Sequence, residues 1–518
     1  MVVGGGHNGL VTAAYLARSG RRVLILERRP FVGGAVATEE MAPGFRAATG
    51  ADVCGPLRPE VIDDLNLTAH GLRLVPLDPE VLALGNRSAL RIWRDTGRTQ
   101  TELMATSRKD AEAYPRFVAF LSDFAAALDP LMTSTPPNIA EPSLGEQMEL
   151  FRRALALRRL GKRTLQQMLR MPPMPVRDFL NEWFETELLK ASLAVDAILG
   201  MFQGPFSPGT AFGLVPRFSP ATRGNIGSMV KGGVGNLATA LALAARESGV
   251  SIRTDSDVKQ IRTRDGRAVG VELADGQVIS ARVVVSNADP KRTFLHLVEP
   301  QELSPEFLDR VRNLQMTGVI AKVNVALDRL PILAATEDGV PAHFRICPSI
   351  EYLERAYDDA KYGSASRAPL LEVFVPTIVE PGLAPPGKHI LSALVQYAPY
   401  DLRPTNWEKE AEPLADRVIG VLEEHMPGFE KLVLARQVLT PADLESRFGL
   451  TEGHIYHGEM TLNQFLVLRP VPGWAGYRTP VDGLYLCGSG THPGGGVSGA
   501  PGYNAARQIL RDWSRLVS

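Results

Sequence analysis

The chain has 518 residues, with 56 Lys and Arg against 57 Asp and Glu, for a formal net charge of −1. At roughly 150 residues per domain this length allows two to four cores, and a composition of 45% hydrophobic and 22% charged residues is ordinarily globular. Disorder, a collagen-like chain and a disulfide scaffold are excluded, and nothing in the overall charge favours a nucleic-acid partner.

Glycine is abundant, with 48 residues, whereas there are only 3 cysteines. Cys54, Cys347 and Cys487 form no CxxC pair, so a zinc ribbon and local dithiol chemistry are unsupported and a reducing compartment is expected. No apolar run approaches the ~18 residues of a membrane span, and the first residues lack a signal-peptide pattern. These features predict a cytoplasmic protein whose membrane contact, if any, is peripheral.

Residues 1–3 read as the end of a buried strand that runs into Gly4-Gly5-Gly6-His7-Asn8-Gly9. An apolar helix follows over 10–18, then a strand over 22–26 that ends on Glu27. Gly4 permits a tight turn, Gly6 lets backbone approach a pyrophosphate, and Gly9 lets helix and strand pack closely. His7 and Asn8 open the helix, whose N-terminal partial charge favours phosphate. Glu27 can accept hydrogen bonds from both ribose hydroxyls and would repel a 2′-phosphate, which argues against NADP. Arg28, Arg29 and then Gly33-Gly34 complete a pattern that resembles the extended fingerprint of glutathione-reductase-like flavoproteins and amine oxidases. That resemblance implies FAD, with Arg29 toward the adenosine phosphate and Gly33-Gly34 beside the pyrophosphate.

Leu144, Met148, Phe151 and Leu155 recur at helical spacing beside Arg152, Arg153, Arg158, Arg159, Lys162, Arg163 and Arg170. Residues 144–174 therefore read as a basic helical surface or as a lid or membrane-facing segment, with Met168, Met171 and Met174 adding adaptable apolar surface. Gly233-Val234-Gly235-Asn236-Leu237-Ala238 matches a second dinucleotide turn, but Arg253 and Thr254 stand where an acid should end the next strand. It is expected to be a structural loop and helix. Residues 250–286 read as a meander with turns at Asp265-Gly266 and Asp275-Gly276. By resemblance to FAD-binding domains, Val258 offers backbone to the adenine.

A strand over 482–487 leads into Gly488-Ser489-Gly490-Thr491-His492-Pro493-Gly494-Gly495-Gly496-Val497-Ser498-Gly499 and then a helix. Such glycine density places backbone against a flat ligand, with Gly488, Ser489, Gly496 and Val497 as contacts. Residues 483–497 resemble the phytoene dehydrogenase (carotenoid desaturase) superfamily. Residues 453–460, Arg469-Pro470, Pro472-Gly473-Trp474 and Thr479-Pro480 resemble, within it, the family of pyridine nucleotide-disulfide oxidoreductase domain-containing protein 2. Despite that name, the lack of a cysteine pair excludes thiol chemistry.

The resemblance implies an α/β fold with a Rossmann-like FAD-binding domain built from 1–75, 225–290 and 445–518. An interleaved substrate domain would take 76–224 and 291–444. It implies non-covalent FAD and an enzyme moving hydride from a C–H bond of an apolar, isoprenoid or lipid-derived substrate to flavin N5. Quinone or oxygen would take the electrons, and a homo-oligomer is an open expectation. Amine oxidation, polyene isomerisation or saturation, and a weakly catalytic flavin-containing interaction protein are the alternatives. His457 and Glu459, just before the flavin loop, and His492 within it are the acid/base candidates. His454 and His457 lack a third ligand, so no metal is expected.

Overall fold

The computed structural model describes residues 1–137 and 161–517 and, between them, 144, 145, 147, 148, 151, 152 and 158. A 5-stranded parallel sheet runs in the order Leu484–Leu486, Val284–Ser286, Val2–Val3, Leu24–Leu26 and Ser251–Arg253. Side chains alternate across it. Val2, Ile25, Val285 and Tyr485 face a core shared with the helices His7–Arg18, Gly235–Glu247 and Ala500–Val517. Val3, Leu26, Val284 and Leu484 face the opposite core, beneath the meander Val258–Arg264, Arg267–Leu273 and Val278–Ser280. Both faces of the other four strands are covered, which explains their apolar character, whereas the edge strand Ser251–Arg253 exposes Ser251 and Arg253.

The helices of the first core meet at small residues. A Cβ on Gly502 would lie 2.3 Å from the Asn8 carbonyl oxygen, and the Thr12 hydroxyl donates to the Gly502 carbonyl at 3.0 Å. The chain's first helix and its last are therefore in backbone contact.

A second sheet has 7 strands, in the order Val433–Leu439, Ile320–Leu327, His389–Gln396, Leu370–Phe374, His343–Ile346, Val81–Leu84 and Ala89–Ile92. All neighbours are antiparallel except His343–Ile346 with Val81–Leu84. One face, including Val323, Val325, Leu371, Val373, Leu391 and Ala393, packs beneath the helix Trp407–His425. A helical layer of Arg108–Met132, Val176–Asn181 and Glu187–Ile198 encloses an aromatic core around Phe117, Phe179 and Phe184.

The loop at 233–238 is structural. Met229–Val230 pairs antiparallel with Leu74–Val75, outside the parallel sheet, and the Thr38 hydroxyl accepts from Gly235 N–H at 3.0 Å. The meander turns where Asp265 and Gly266 both take positive φ, 51° and 71°. Of the expected basic segment 144–174, residues 146, 149, 150, 153–157, 159 and 160 lie outside the described residues; within the rest a helix spans Lys162–Arg170, and Met168 and Met171 are buried in the aromatic core rather than displayed. Among the described residues no helix is long and apolar enough to cross a membrane.

Candidate functional site

One cavity of about 480 Å³ extends from the glycine turns of the parallel sheet to the uncovered face of the 7-stranded sheet. At the first end Gly4, with φ +96°, turns the chain as its N–H donates to the Leu26 carbonyl at 2.8 Å. Gly9 does not line the cavity. Its Cβ would sit 2.3 Å from the Gly4 carbonyl oxygen, so its absence lets the helix start directly on the turn. Gly6 and Gly33 form a bridge, and Gly33 N–H donates to the Gly5 carbonyl at 2.9 Å, leaving a wall of bare backbone with Gly34.

Glu27 lines this end, with one carboxylate oxygen accepting from Gly5 N–H at 2.7 Å and the other from Arg29 N–H at 2.9 Å. Each oxygen keeps a second lone pair for a ribose hydroxyl. Asn8 donates to the Ser489 hydroxyl at 3.1 Å, joining the two glycine motifs, and its buried Oδ1 has no protein partner. Bare backbone, a held carboxylate and an orphaned amide oxygen together fit the pyrophosphate and ribose of FAD.

Arg29 also lines the cavity, but its guanidinium pairs with Glu39 at 2.8 Å and stacks over Phe31 and Phe448. Arg28 donates to the Ser446 carbonyl at 2.8 Å. Burial and the neighbouring Arg292 lower the Arg28 pKa; Arg292, which lines the same wall, has no motif to mark it in the sequence. Val258, Ser489, Gly496 and Val497 complete the lining, whereas Gly488 sits behind it, where a Cβ would meet the Asn287 carbonyl oxygen at 2.6 Å.

The acid/base candidates separate in space. His457 lines the cavity at φ +57°, and its Nδ1 has no partner. Glu459 is buried off the cavity wall, accepting from Phe202 N–H at 2.9 Å and lying 3.3 Å from His454 Nε2. His454 Nδ1 accepts from two backbone N–H groups, so its proton resides on Nε2, facing that carboxylate. His492 also lies off the wall, with Nε2 2.7 Å from the Leu131 carbonyl oxygen. Arg469, unremarked in the sequence except as part of a motif, ties these segments together. Its fully buried guanidinium donates to the carbonyls of Tyr456, Glu459 and Ser489 at 2.6, 2.9 and 3.2 Å.

Burial lowers the pKa of both His457 and His7 from 6.5 to about 4, and for His7 the charge of His457 adds to the effect. An unfolded chain protonates both below about 6.5, while the folded chain resists until about 4. Stability is therefore complete above pH 6.5 and declines as pH falls through that window, by about 1.4 kcal/mol per unit for each histidine. Thermal denaturation across this range should show the decline, and His457→Asn, which tolerates the left-handed backbone, should reduce its slope to about half. An unchanged slope in that variant would refute the assignment.

The far end of the cavity is mixed. Phe212, Ile320, Phe374, Leu394 and Phe465 make apolar walls, but Asp52, Asp196, Arg217, Lys322, Arg345 and Glu372 also line it. Lys322 Nζ lies 2.5 Å from Asp52 and donates to the Gly50 carbonyl at 3.0 Å; both side chains are almost wholly buried. Burial lowers the Lys322 pKa against the opposing pull of Asp52. Among the described residues no cluster of His, Cys, Asp and Glu is arranged to hold a metal ion. The three cysteines are free, and burial pushes each thiol up to about 12.

Residues 9–510 match the family model described as flavin containing amine oxidoreductase. The chain is 40% identical to rat pyridine nucleotide-disulfide oxidoreductase domain-containing protein 2, covering 100% of this chain and 94% of that protein. It is 30% identical to one of the chains of limonene dehydrogenase from Castellaniella defragrans, covering 99% and 94% respectively. Among solved structures, putrescine oxidase bound to putrescine superposes with a TM-score of 0.62 at 15% identity, over 99% of this chain and 98% of that one. This likeness concerns the fold.

Proposed function

Because the chain belongs to the flavin-containing amine oxidoreductase family and, within it, to that of pyridine nucleotide-disulfide oxidoreductase domain-containing protein 2, we propose that this FAD-dependent oxidoreductase dehydrogenates a largely apolar substrate. The supporting observation is the single cavity in which the glycine turns and an apolar-walled chamber are continuous. The 30% identity to a limonene dehydrogenase chain supports the same substrate character.

When bound, FAD supplies a two-electron acceptor at flavin N5 for the hydride of a substrate C–H bond. Glu27, Asn8 and the glycine turns would hold the nucleotide. The apolar walls exclude water and orient the carbon skeleton. The proton that leaves with the hydride passes to Lys322 Nζ, which burial biases toward the neutral amine. His457 is poorly suited to that role, since protonating a group with a pKa of about 4 at pH 7 costs about 4 kcal/mol. It instead offers a neutral ring to the cavity wall.

Anaerobic mixing of the holoenzyme with limonene, phytoene, putrescine or NADH tests this reading by flavin absorbance. Bleaching by a terpene hydrocarbon and none by putrescine is expected. Faster bleaching by putrescine would replace it with amine oxidation.

A further inference from the structure

Lys322, Glu372 and Arg345 of the 7-stranded sheet line the cavity as its charged floor, joined by Asp196 from the helix Glu187–Ile198 and Arg217 from the helical turn Thr210–Phe218. Lys322 is balanced by Asp52. The others belong to one connected cluster. Glu80 lies 2.7 Å from Arg217, 3.1 Å from Arg223 and 3.9 Å from Arg94. Asp196 lies 3.0 Å from Arg345 and 3.5 Å from Arg217, and Glu372 lies 2.8 Å from Arg345. Among the described residues Arg94, Arg217, Arg223 and Arg345 thus share Glu80, Asp196 and Glu372, four positive charges against three negative ones. His343, 2.6 Å from Glu372, adds no negative charge. The crowding of cations is felt at Arg94, whose pKa is lowered by burial and further by the charges of Arg223 and Arg217, against the pull of Glu80.

Arg217 is the member of this cluster that is open to the cavity. Its side chain is 14% exposed, against 2% for Arg345 and 4% for Glu372. The guanidinium turns Nη2 to Glu80 and Nε to Asp196, whereas Nη1 meets no hydrogen-bond acceptor among the described residues. Gly227 fixes where Nη1 stands. That glycine lines the same cavity, and a Cβ on it would lie 3.3 Å from Nη1. The surplus positive charge and the unused donor therefore coincide at one point of the wall. A guanidinium is matched in charge and in planar geometry to a carboxylate.

We propose that Arg217 is the head-group subsite for a carboxylate on an otherwise apolar substrate, its Nη1–H donating to a carboxylate oxygen while the anion balances the cluster. A monoanion matches a surplus of one positive charge. A cationic head group would add to that surplus, and a neutral one would leave it uncompensated. Phe212, on the same helical turn as Arg217, and Phe465 supply apolar wall for the hydrocarbon portion. This deepens the dehydrogenase reading and rests on it for calling the ligand a substrate.

The test is calorimetric titration of the holoenzyme at pH 7 with octanoate, methyl octanoate, 1-octanol and octylamine. Octanoate should bind roughly tenfold more tightly than the ester and the alcohol, the scale of one charge-assisted hydrogen bond, and octylamine should bind most weakly. Arg217→Met leaves three guanidiniums against three carboxylates, with Glu80 still beside Arg223 and both Asp196 and Glu372 still beside Arg345. It strands no charge, and it should bring octanoate down to the level of 1-octanol while leaving 1-octanol unchanged. Arg217→Lys, which keeps the charge and loses the planar fork, should retain part of the preference and supplies the comparison should the methionine variant fail to fold. The proposal is overturned if octanoate binds the unaltered protein no more tightly than 1-octanol, if octylamine is preferred, if none of the four binds, or if the octanoate preference survives Arg217→Met or stays undiminished in Arg217→Lys. Because calorimetry reads binding without turnover, octanoate that binds as expected while no terpene bleaches the flavin would refute the dehydrogenase reading and leave the subsite standing.

Discussion

Replacing Gly9 with alanine is expected to weaken FAD binding roughly 100-fold, measured as flavin retained through dialysis and by equilibrium titration of the apoprotein. The added Cβ would lie 2.3 Å from the Gly4 carbonyl oxygen. Both the carbonyl and the helix start belong to the buried parallel sheet and its first helix, so neither has a flexible side chain that can give way. Relief must come from moving the helix off the turn. Overpacking of this kind costs about 1–3 kcal/mol, and at about 1.4 kcal/mol per decade the upper part of that range gives the stated loss. Gly20→Ala is the control: it carries a positive φ, +80°, but no atom lies within 4 Å of its added Cβ. That variant should lose some stability and keep its flavin; equal flavin loss in both would show that the cause is general destabilisation.

The second large effect is expected at Lys322. Lys322→Arg keeps a cation beside Asp52 but cannot become a neutral proton acceptor, so flavin reduction by substrate should fall by roughly 10²–10⁴-fold, the range of a lost acid/base group. Lys322→Met leaves a buried carboxylate without its partner and should also destabilise the fold by about 3–5 kcal/mol. Adding Asp52→Asn to Lys322→Met should recover much of that stability and none of the rate. In the unaltered protein the reduction rate should rise with pH, because the neutral amine is the acceptor, with a midpoint below the ordinary lysine value of 10.5. A pH profile that keeps this limb in the methionine variant would assign the proton to another group.

The glycine-turn end of the cavity is readable because the chemistry of nucleotide binding constrains a chain locally. A turn, a close backbone approach and a strand-end carboxylate each demand one residue type at one spacing, and Gly4, Gly6, Gly9 and Glu27 occupy those places. The same reasoning locates the two Asp-Gly turns of the meander, but the strands at 251–253 and 284–286, read as part of it, pair into the parallel sheet instead, a long-range choice that no local pattern reveals. Proximity along the chain is a weaker guide to catalysis. Glu459 and His492 flank or occupy the flavin loop, yet their side chains turn toward Phe202 N–H and the Leu131 carbonyl.

The charged floor is the least legible part. Ile320–Leu327 reads as an apolar strand, and its Lys322 and Asn324 are isolated exceptions two residues apart, the signature of a strand with one polar face. What no local pattern can supply is that Glu372 and Arg345, 27 residues apart, become neighbours through antiparallel pairing of their strands. Arg469 is hidden for the same reason, since its role exists only against backbone of other segments.

The parallel sheet places Val2–Val3 beside Val284–Ser286, and that strand beside Leu484–Leu486. Asn8 reaches Ser489 across 481 positions of sequence. Contacts of such separation carry a high loop-closure cost and slow the search for the native topology. During synthesis the first glycine turn must wait, as an unpaired apolar strand and helix, until nearly the whole chain has emerged. Residues from both ends line the one cavity, so FAD bound there would act as a late clasp on assembly. Cells short of flavin should therefore accumulate this protein in a protease-sensitive form, with cleavage falling in the segments before residue 284 as readily as in those after it.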